Sequence, residues 1–465
     1  MDTGIIFWIC TISIVCVIAS IIYYKPYLGI VFIIISIPFE GNIILDSISI
    51  YPLEVILAMI VFICMIKFIV KGENYFKNTK LVFFYLPFIL CILLSALKYM
   101  EFSLMVKEAI RWLELILIYF LTINLVTDYK KTKVILYSVV LTTAIVSLCG
   151  IINYLSIDRV ARAFSFFGNP NPFAGYVGLV IPVLFGMMMT STFYWERIVL
   201  GTAAVFSILT WFLAFSRSAV LSLVLTMILV LFLAKVNKKI IILVSIVFTI
   251  FAVTFLSSNL KIKDRVGLSL IRDNMELRAM CYPIGYDLVK DDMMLGIGIG
   301  NYHLRIKEYV DNALHKRRLL RERVFATIKD SYIRQFLCYN GEDSLLSKEE
   351  DLLLISLETK NLAVQQHLHS LYLQLFVEMG LIGLCSFVFW LALIVKYLMS
   401  ALKSLENSGK YYLFVGVMAG VIVYLFNNLT DILTVHGIHL QWGIILGLAV
   451  VLIQFRESEK CPEMI

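Results

Sequence analysis

The chain has 465 residues, of which 60% are hydrophobic and 16% are charged, with a formal net charge of +7. A soluble protein of this length could not bury so much apolar surface, because the buried fraction saturates as domains grow. The composition also excludes a disordered or fibrous chain, and the long apolar runs exclude an outer-membrane barrel. The sequence therefore predicts an all-α polytopic membrane protein, in which the positive charge marks topology rather than a nucleic-acid partner.

Apolar runs divide the chain into predicted transmembrane helices, each of which needs about 20 mostly apolar residues to cross the hydrocarbon core. The pattern predicts about 12 or 13 of them, and leaves open whether the shortest, 27–39, crosses fully. The predicted spans are 4–24, 27–39, 51–70, 81–98, 104–126, 133–153, 172–190, 198–215, 217–234, 239–257, 379–399, 410–428 and 437–455. The first run lacks a basic start and a small-residue cleavage site, so we expect it to be retained.

Basic and weakly charged loops alternate from residue 67 to the end of the chain. Cytoplasmic loops are enriched in Lys and Arg, so the basic loops are predicted to face the cytoplasm of a multi-pass protein in the cytoplasmic membrane. The loops predicted to face outward are 154–171, 215–218, 258–368 and 429–436. The predicted domains are an N-terminal bundle over 1–257, a large, partly helical outer loop over 258–368, a motif helix with C-terminal spans over 369–456, and a cytoplasmic tail over 457–465.

The span 104–126 carries four charged residues, Lys107, Glu108, Arg111 and Glu114. Charges inside a membrane are costly, so they indicate function or internal pairing. Lys107, Arg111 and Glu114 share a helical face, and i,i+3 spacing allows Arg111 to pair with either glutamate. Two interpretations stay open: an ion-paired structural cluster, or the polar wall of a water-filled cavity.

Two outward loops in the first half of the chain carry polar motifs. The segment 159–175 reads RVARAFSFFGNPNPFAG and contains Arg162, Asn169 and Asn171; its prolines predict a rigid, non-helical turn. Arg217 follows in an FSRS turn between two apolar spans. It either extends to lipid phosphate or points inward to a phosphate-bearing substrate, which the bidentate guanidinium suits.

The large outer loop is long enough that we expect it to fold. Residues 273–290 have the pattern of an amphipathic helix that carries Arg278. Alternating glycines follow at 296–300, and because no Rossmann strand precedes them, they predict a tight backbone turn rather than a dinucleotide-binding loop. Residues 304–335 are helical in pattern and basic, which fits either a solvated face or a surface for anionic groups.

The chain returns to the membrane at His369, which precedes the span 379–399. Imidazole suits proton transfer near neutral pH, so a histidine at the bilayer surface is a candidate general base. His367 is an alternative that the spacing does not exclude. Glu378 and Asp431 are candidates for orienting the histidine or an arginine.

Taken together, these motifs resemble the O-antigen ligases and the related O-antigen and capsular polysaccharide polymerases. The sequence from His369 to Gly383 matches the family's His-[Asn/Ser/Gln]-x9-Gly-xx-[Gly/Thr/Tyr] signature. Three other segments are similar to the family's NPN loop, Ser-Arg-Gly/Ser turn and glycine stretch, in the family's order; they lie at 168–175, 216–218 and 295–302. The stretch between Tyr302 and His369 is longer and more basic than is usual in the family.

The resemblance implies a GT-C-like glycosyltransferase that acts on the outer face of the cytoplasmic membrane. It implies a glycan donor carried on undecaprenyl pyrophosphate, a glycan or lipid acceptor, and inversion at the anomeric carbon, with no metal or other cofactor. The family's essential histidine corresponds to His369, which would take the proton of the acceptor hydroxyl. Its essential arginines correspond to Arg217 and Arg278, and Arg162 is a third candidate for neutralising the pyrophosphate.

The remaining predicted substrate-binding residues are Asn169, Asn171, Arg111, Glu378 and Asp431. Two other classes of function are considered: a transporter or flippase of lipid-linked sugars or another anion, and an assembly protein. The sequence has no internal repeat of the kind that is typical of transporters. The motifs do not separate a polymerase from a ligase, but a composition rich in Ile, Lys and Tyr favours an AT-rich host, and a host without an outer membrane favours a polymerase. The oligomeric state is not indicated.

Overall fold

The computed structural model describes residues 3–39, 43–45, 48–75, 83–156, 162–233, 281–309, 367–406, 408–435 and 437–460. Within these residues the chain is helical, apart from an antiparallel hairpin between β1 (Ile43–Leu45) and β2 (Ile48–Ile50). Six helices are long and apolar enough to cross a membrane, and five shorter apolar helices accompany them. These findings confirm the predicted class of helical polytopic membrane protein; the predicted span 239–257 lies outside the described residues.

The helices agree with the predicted spans to within a few residues at most ends. They are α1 (Thr3–Tyr24), α2 (Tyr27–Ser36), α3 (Pro52–Lys71), α4 (Leu86–Ala96), α5 (Phe102–Leu125), α6 (Tyr129–Ser156), α7 (Pro170–Thr190), α8 (Tyr194–Leu213), α9 (Arg217–Leu233), α10 (Leu371–Leu405), α11 (Tyr411–Asn427) and α12 (Ile438–Lys460). Two short helices, at 281–289 and 302–309, belong to the large outer loop. The last helix continues to residue 460, and so into the predicted tail.

Contacts group the chain into two compact units, each assembled from separated segments. Unit 1 contains Met1–Ile89, Ala109–Ser258 and Ser386–Ile465, and unit 2 contains Leu90–Glu108 and Asn259–Cys385. The predicted domains are continuous in sequence, whereas these units are not. The two divisions share only the boundary near residue 258.

In unit 1, α7 and α11 cross at close range through glycines. A Cβ on Gly186 would lie 2.7 Å from the carbonyl oxygen of Tyr412, and one on Gly416 would lie 2.5 Å from that of Pro182. Small residues allow such close contact between membrane helices, where packing replaces the hydrophobic effect as the driving force. α11 ends at Asn427, and the loop that carries Asp431 follows it.

Aromatic side chains fill the interior of unit 1 where Tyr85, the residue before α4, meets α10 and α12. The Trp390 ring centroid lies 4.6 Å from that of Tyr85 and 5.9 Å from that of Trp442. The indole N–H of Trp442 donates to the carbonyl oxygen of Val421 at 3.2 Å. Because a buried N–H has no water to bond, this bond allows the large ring to be placed in the interior.

The short helix α2 extends between both ends of unit 1. At its start, Lys131 Nζ lies 5.7 Å from the ring centroid of Tyr27. Beyond its other end, the ring of Phe39 lies 5.1 Å from that of Phe166, in the loop predicted to face outward. The ten helical residues of α2 cover about 15 Å at 1.5 Å each, and three further residues lead to Phe39. The segment 27–39 therefore connects the two ends of unit 1. The sequence alone left open whether this segment crosses fully.

Several helix ends that the alternation of basic loops predicts to be cytoplasmic lie together at one end of unit 1. Lys133 and Glu196 form an ion pair at 3.8 Å between the starts of α6 and α8. Lys410, before α11, lies 5.5 Å from the Tyr129 ring centroid and 5.6 Å from that of Phe455 on α12. These residues all lie at the end that is predicted to be cytoplasmic. The opposite ends of the same helices carry the FSRS and NPN motifs.

Candidate active site

Arg162 connects three segments at the predicted outer end of unit 1. Its Nε donates to the carbonyl oxygen of Ala214 at 2.8 Å, and one terminal nitrogen donates to the carbonyl oxygen of Phe215 at 3.1 Å and to Asn171 Oδ1 at 2.7 Å. A cation is favourable beside carbonyl groups at the end of a helix such as α8. The guanidinium of Arg162 thus holds the FSRS turn against the NPN loop.

The NPN segment begins a helix, and the prediction that its prolines exclude helix was wrong. Asn169 is the N-cap of α7, and its side-chain oxygen accepts from the backbone N–H of Asn171 at 2.9 Å. Pro170 and Pro172 both lie in the first turn of α7. The first-turn N–H groups have no intrahelical acceptor, so a proline there costs no hydrogen bond.

The FSRS turn is tied to Asp431 through a pair of buried serines. The Oγ atoms of Ser216 and Ser218 lie 3.1 Å apart, and Ser218 Oγ donates to Asp431 Oδ2 at 3.4 Å. The other carboxylate oxygen of Asp431 accepts from the backbone N–H of Ile432 at 2.9 Å. Asp431 therefore also fixes the turn, and the side chains of Ser216, Ser218 and Asp431 are all buried.

Arg217 differs from its two serine neighbours because its side chain is exposed. It is the first residue of α9. The N-terminus of a helix presents unpaired backbone N–H groups and a partial positive charge, which favour an anion. A guanidinium at that position adds a full charge and a bidentate donor.

In unit 2, helix α10 is broken at Gly380, which has φ 68° and ψ −171°. The glycine stretch fills the break with backbone hydrogen bonds. The carbonyl oxygens of residues 377–378 accept from the N–H groups of 297–298 at 2.9 Å. After the break, the N–H groups of 381–382 donate to the carbonyls of 293–294 at 2.8 and 3.3 Å. The groups that the break releases are thus satisfied, as a membrane environment requires.

Two glycines are needed where these segments meet. A Cβ on Gly296 would lie 2.5 Å from the backbone nitrogen of Gly380, and one on Gly380 would overlap the carbonyl group of Met294. Both glycines also have positive φ, which residues with a side chain rarely adopt. Gly296 and Gly380, which come from two different motifs, are therefore both required by one backbone contact.

Asn301 anchors the end of the glycine stretch, as a buried side chain that uses both ends of its amide. Its Oδ1 accepts from the N–H of Met100 at 3.0 Å, and its Nδ2 donates to the carbonyl oxygens of Lys98 at 2.7 Å and Ile297 at 2.8 Å. Lys98 also forms an ion pair with Asp292, and this hydrogen bond lowers the pKa of the Asp292 carboxyl below its ordinary value. The loop after α4 thus holds the glycine stretch in place.

His369 lies in the turn that leads into α10, between two buried neighbours, and its own side chain is half-buried. Gln374 and Glu378 follow on the same helix. Glu378 Oε1 accepts from Gln374 Nε2 at 2.7 Å and from the backbone N–H of Tyr302 at 3.4 Å. Glu378 therefore links the histidine helix to the glycine stretch within unit 2.

Strained backbone conformations occur at the predicted motifs, and this observation does not depend on the residue types that defined the motifs. Three non-glycine residues in the described ranges have left-handed φ: Ser165 at 51°, Phe215 at 48° and His369 at 54°. This conformation costs roughly 1–2 kcal/mol for an L-residue. Such strain clusters at functional sites. Ser165 precedes the NPN loop, Phe215 opens the FSRS turn, and His369 is the candidate base.

The other predicted site residues have varied placements. Arg278 lies outside the described residues. Arg111 is half-buried on α5, and its neighbour Glu114 lies 3.2 Å from the Nε2 atom of His439, a partner that the sequence did not indicate. Gln374 was also missed, although its i,i+4 spacing to a buried glutamate was a signal that could have found it.

Comparison with known proteins gives one family match. The model of the O-antigen ligase family matches residues 201–322. It includes Arg217 and the glycine stretch, and it ends before His369. No curated protein matches the chain. Over residues 201–322, the match confirms the resemblance to the O-antigen ligase family that the motifs predict.

Proposed function

We propose, from the match of residues 201–322 to the O-antigen ligase family, that the protein transfers glycan between lipid-linked substrates on the outer face of the cytoplasmic membrane. The donor is an oligosaccharide on undecaprenyl pyrophosphate. The acceptor is a hydroxyl of a second lipid-linked repeat unit, which makes the protein a polysaccharide polymerase in preference to a ligase. The reaction uses no metal and no nucleotide sugar.

In the proposed reaction the acceptor oxygen attacks the anomeric carbon of the donor. The bond from that carbon to the pyrophosphate oxygen breaks, the hydroxyl proton moves to the imidazole of His369, and the pyrophosphate leaves on its carrier. Attack opposite the leaving group inverts the anomeric centre. General-base assistance of this kind contributes roughly 10²–10⁴ in rate.

Arg217 is proposed to bind the leaving pyrophosphate. Its exposed guanidinium stands at the start of α9, where the helix N-terminus adds further positive charge. Arg278 is proposed as a second cation. A preorganised charged donor needs no reorganisation as negative charge develops, and removal of one such donor costs roughly 10²–10³ in kcat.

One observation carries the proposal: the three left-handed residues other than glycine among those described lie in or beside the three polar motifs that the family resemblance selects, including His369 itself. Strain is retained where the surrounding structure enforces it, and active sites are where such enforcement is common. Backbone geometry and residue chemistry therefore favour the same segments.

We would test the function with the full-length protein in liposomes, supplied with an undecaprenyl-pyrophosphate-linked oligosaccharide. The expected product is a ladder of longer lipid-linked glycans that also forms in EDTA. His369→Ala should abolish transfer while donor binding persists, and Arg217→Ala should weaken donor binding as well. A single addition to a lipid acceptor would instead indicate a ligase.

Two matched variants serve as controls. Arg197→Ala removes a guanidinium that binds the Ser191 carbonyl at the other end of unit 1, and it should leave transfer unchanged. His367→Ala should also leave transfer unchanged, and loss of activity in it alone would move the base to that residue. Transbilayer movement of the donor without transfer, unaffected by His369→Ala, would favour a flippase.

A further inference from the structure

We propose that Gln374 is a positioning residue for His369, acting through the backbone N–H of Leu368. This inference rests on the proposed function, because it concerns the side chain assigned there as the general base. Gln374 has no place in the family signature that the sequence matches. The structure places it on the first part of α10, beside the turn that carries the histidine.

The contact that carries the proposal is a hydrogen bond to the residue directly before His369. Gln374 Oε1 accepts from the backbone N–H of Leu368 at 3.0 Å. Leu368 is 1% exposed and Gln374 is 9% exposed. The backbone N–H of Gln374 in turn donates to the carbonyl oxygen of Ser370 at 2.9 Å. The turn from 368 to 370 is thus held by both the side chain and the backbone of one residue.

The opposite end of the same amide is fixed by Glu378. Gln374 Nε2 donates to Glu378 Oε1 at 2.7 Å, and that carboxylate oxygen also accepts from the backbone N–H of Tyr302. An amide has one accepting and one donating end, so these partners determine its orientation. A buried chain of hydrogen bonds therefore leads from the histidine turn to the glycine stretch.

This arrangement explains how His369 keeps an unfavourable backbone. Its φ of 54° is left-handed, a conformation that persists only where the surroundings enforce it. Without the Gln374 oxygen, the buried N–H of Leu368 would lose its acceptor and the turn could relax. The imidazole would then move away from the position in which it meets the acceptor hydroxyl.

The test is Gln374→Met in the full-length protein, because methionine keeps the length and apolar bulk but not the hydrogen bonds. We expect kcat for transfer to fall about 10- to 100-fold, as for a small misplacement of a reacting group. KM for the donor should stay close to the wild-type value. The same substitution at Gln454, which is exposed on α12, is the matched control and should change neither value.

A swapped pair separates hydrogen bonding from packing. In Gln374→Glu combined with Glu378→Gln, the carboxylate at 374 accepts from Leu368 and from the new amide, which in turn accepts from Tyr302. We expect this double variant to recover most of the kcat that Gln374→Met loses. Gln374→Glu alone places two carboxylates together and should not recover it.

A second measurement does not depend on transfer. Diethylpyrocarbonate modifies accessible imidazoles, and mass spectrometry of the peptide that contains residue 369 gives the rate at that residue. Gln374→Met should change this rate several-fold. An unchanged rate, or an unchanged kcat in a variant of an active enzyme, overturns the positioning role and leaves the function intact. A wild-type protein that transfers no glycan overturns the proposed function, and the modification rate then decides the positioning role by itself.

Discussion

Arg162 and Arg217 lie in segments joined by hydrogen bonds, yet their guanidinium groups have different surroundings. Arg162 is half-buried and donates to two backbone carbonyls and one side-chain amide. Arg217 is exposed at the start of α9. Both were candidates for binding pyrophosphate from the sequence. Their geometry favours a structural role for Arg162 and leaves Arg217 facing outward, where it can meet a substrate.

Lysine substitutions distinguish the two roles. Lys retains the charge but cannot reproduce the fork of donors. Arg162→Lys should therefore lower the free energy of unfolding by about 1.5–3 kcal/mol, the value of hydrogen bonds from a charged group. Arg217→Lys should lower the unfolding free energy by less than this, because the side chain is exposed, and it should weaken donor binding. Thermal unfolding and a donor-binding assay on both variants check this, and equal destabilisation by the two would contradict it.

Residue types were predictable at this scale, but partners were not. The pattern indicated Arg162, Asn171, Asp431 and Glu378 because they are polar side chains near apolar spans. It allowed Arg111 to pair with either Glu108 or Glu114, since only neighbours on one helix can be read from spacing. The structure gives Glu114 the side chain of His439, 325 positions away along the chain. No local periodicity encodes such a contact.

Among the elements, α10 shows most directly how a sequence motif becomes a structure. Its break at Gly380 releases backbone groups on both sides, and the glycine stretch bonds to them. The signature predicted the importance of both glycine segments. It could not predict that the two segments form one backbone contact, because hydrogen bonds between distant backbone groups leave no trace in side-chain chemistry.

Gly380→Ala tests this contact. The new Cβ would overlap the Met294 carbonyl and would occupy a left-handed residue. We expect a loss of about 2–5 kcal/mol from steric overlap and backbone strain together. Hydrogen exchange at the amides of 297–298 should accelerate. Gly409→Ala is the matched control, because a Cβ there meets nothing within 4 Å. Unchanged exchange in Gly380→Ala would count against the contact.

Two element-level predictions failed or stayed open for a physical reason. The NPN prolines were expected to exclude helix, although the first turn of α7 tolerates them because its N–H groups have no intrahelical acceptor. The segment 27–39 was too short for a decision by length. Tyr27 and Phe39 contact opposite ends of unit 1, so the segment connects those two ends. Length rules describe an average bilayer, whereas packing against neighbouring helices sets each individual span.

At the scale of the whole molecule, composition alone predicted the class, and the alternation of basic loops predicted the direction of each helix. Both are averages over many residues, which makes them robust to local exceptions. The division into units was not predictable, because unit 2 joins the end of α4 to a loop and a helix made much later in the chain. Hydropathy records where a segment lies, and not what it contacts.

Cysteine labelling tests the predicted sidedness. Leu429→Cys lies in a loop predicted to face outward, and Phe193→Cys lies in one predicted to face the cytoplasm; both native side chains are exposed. A membrane-impermeant maleimide added to intact cells should label position 429 and not 193. Position 193 should react after lysis. Peptide mass spectrometry separates these sites from the native cysteines, and the reverse labelling pattern would invert the topology.

Unit 2 is assembled from segments that are far apart in the chain, so it can fold only after the last of these segments has been synthesised. Ser95 Oγ donates to the carbonyl oxygen of Glu378, a bond between residues 283 positions apart. Chains emerge from the ribosome N-terminus first, and early parts fold before late parts exist. The spans of unit 1 up to α9 therefore enter the membrane while the loop after α4 has no partner. Only when residues 377–382 have been synthesised can the histidine turn, the glycine stretch and that loop close around one another, so these parts of unit 2 form late in biosynthesis.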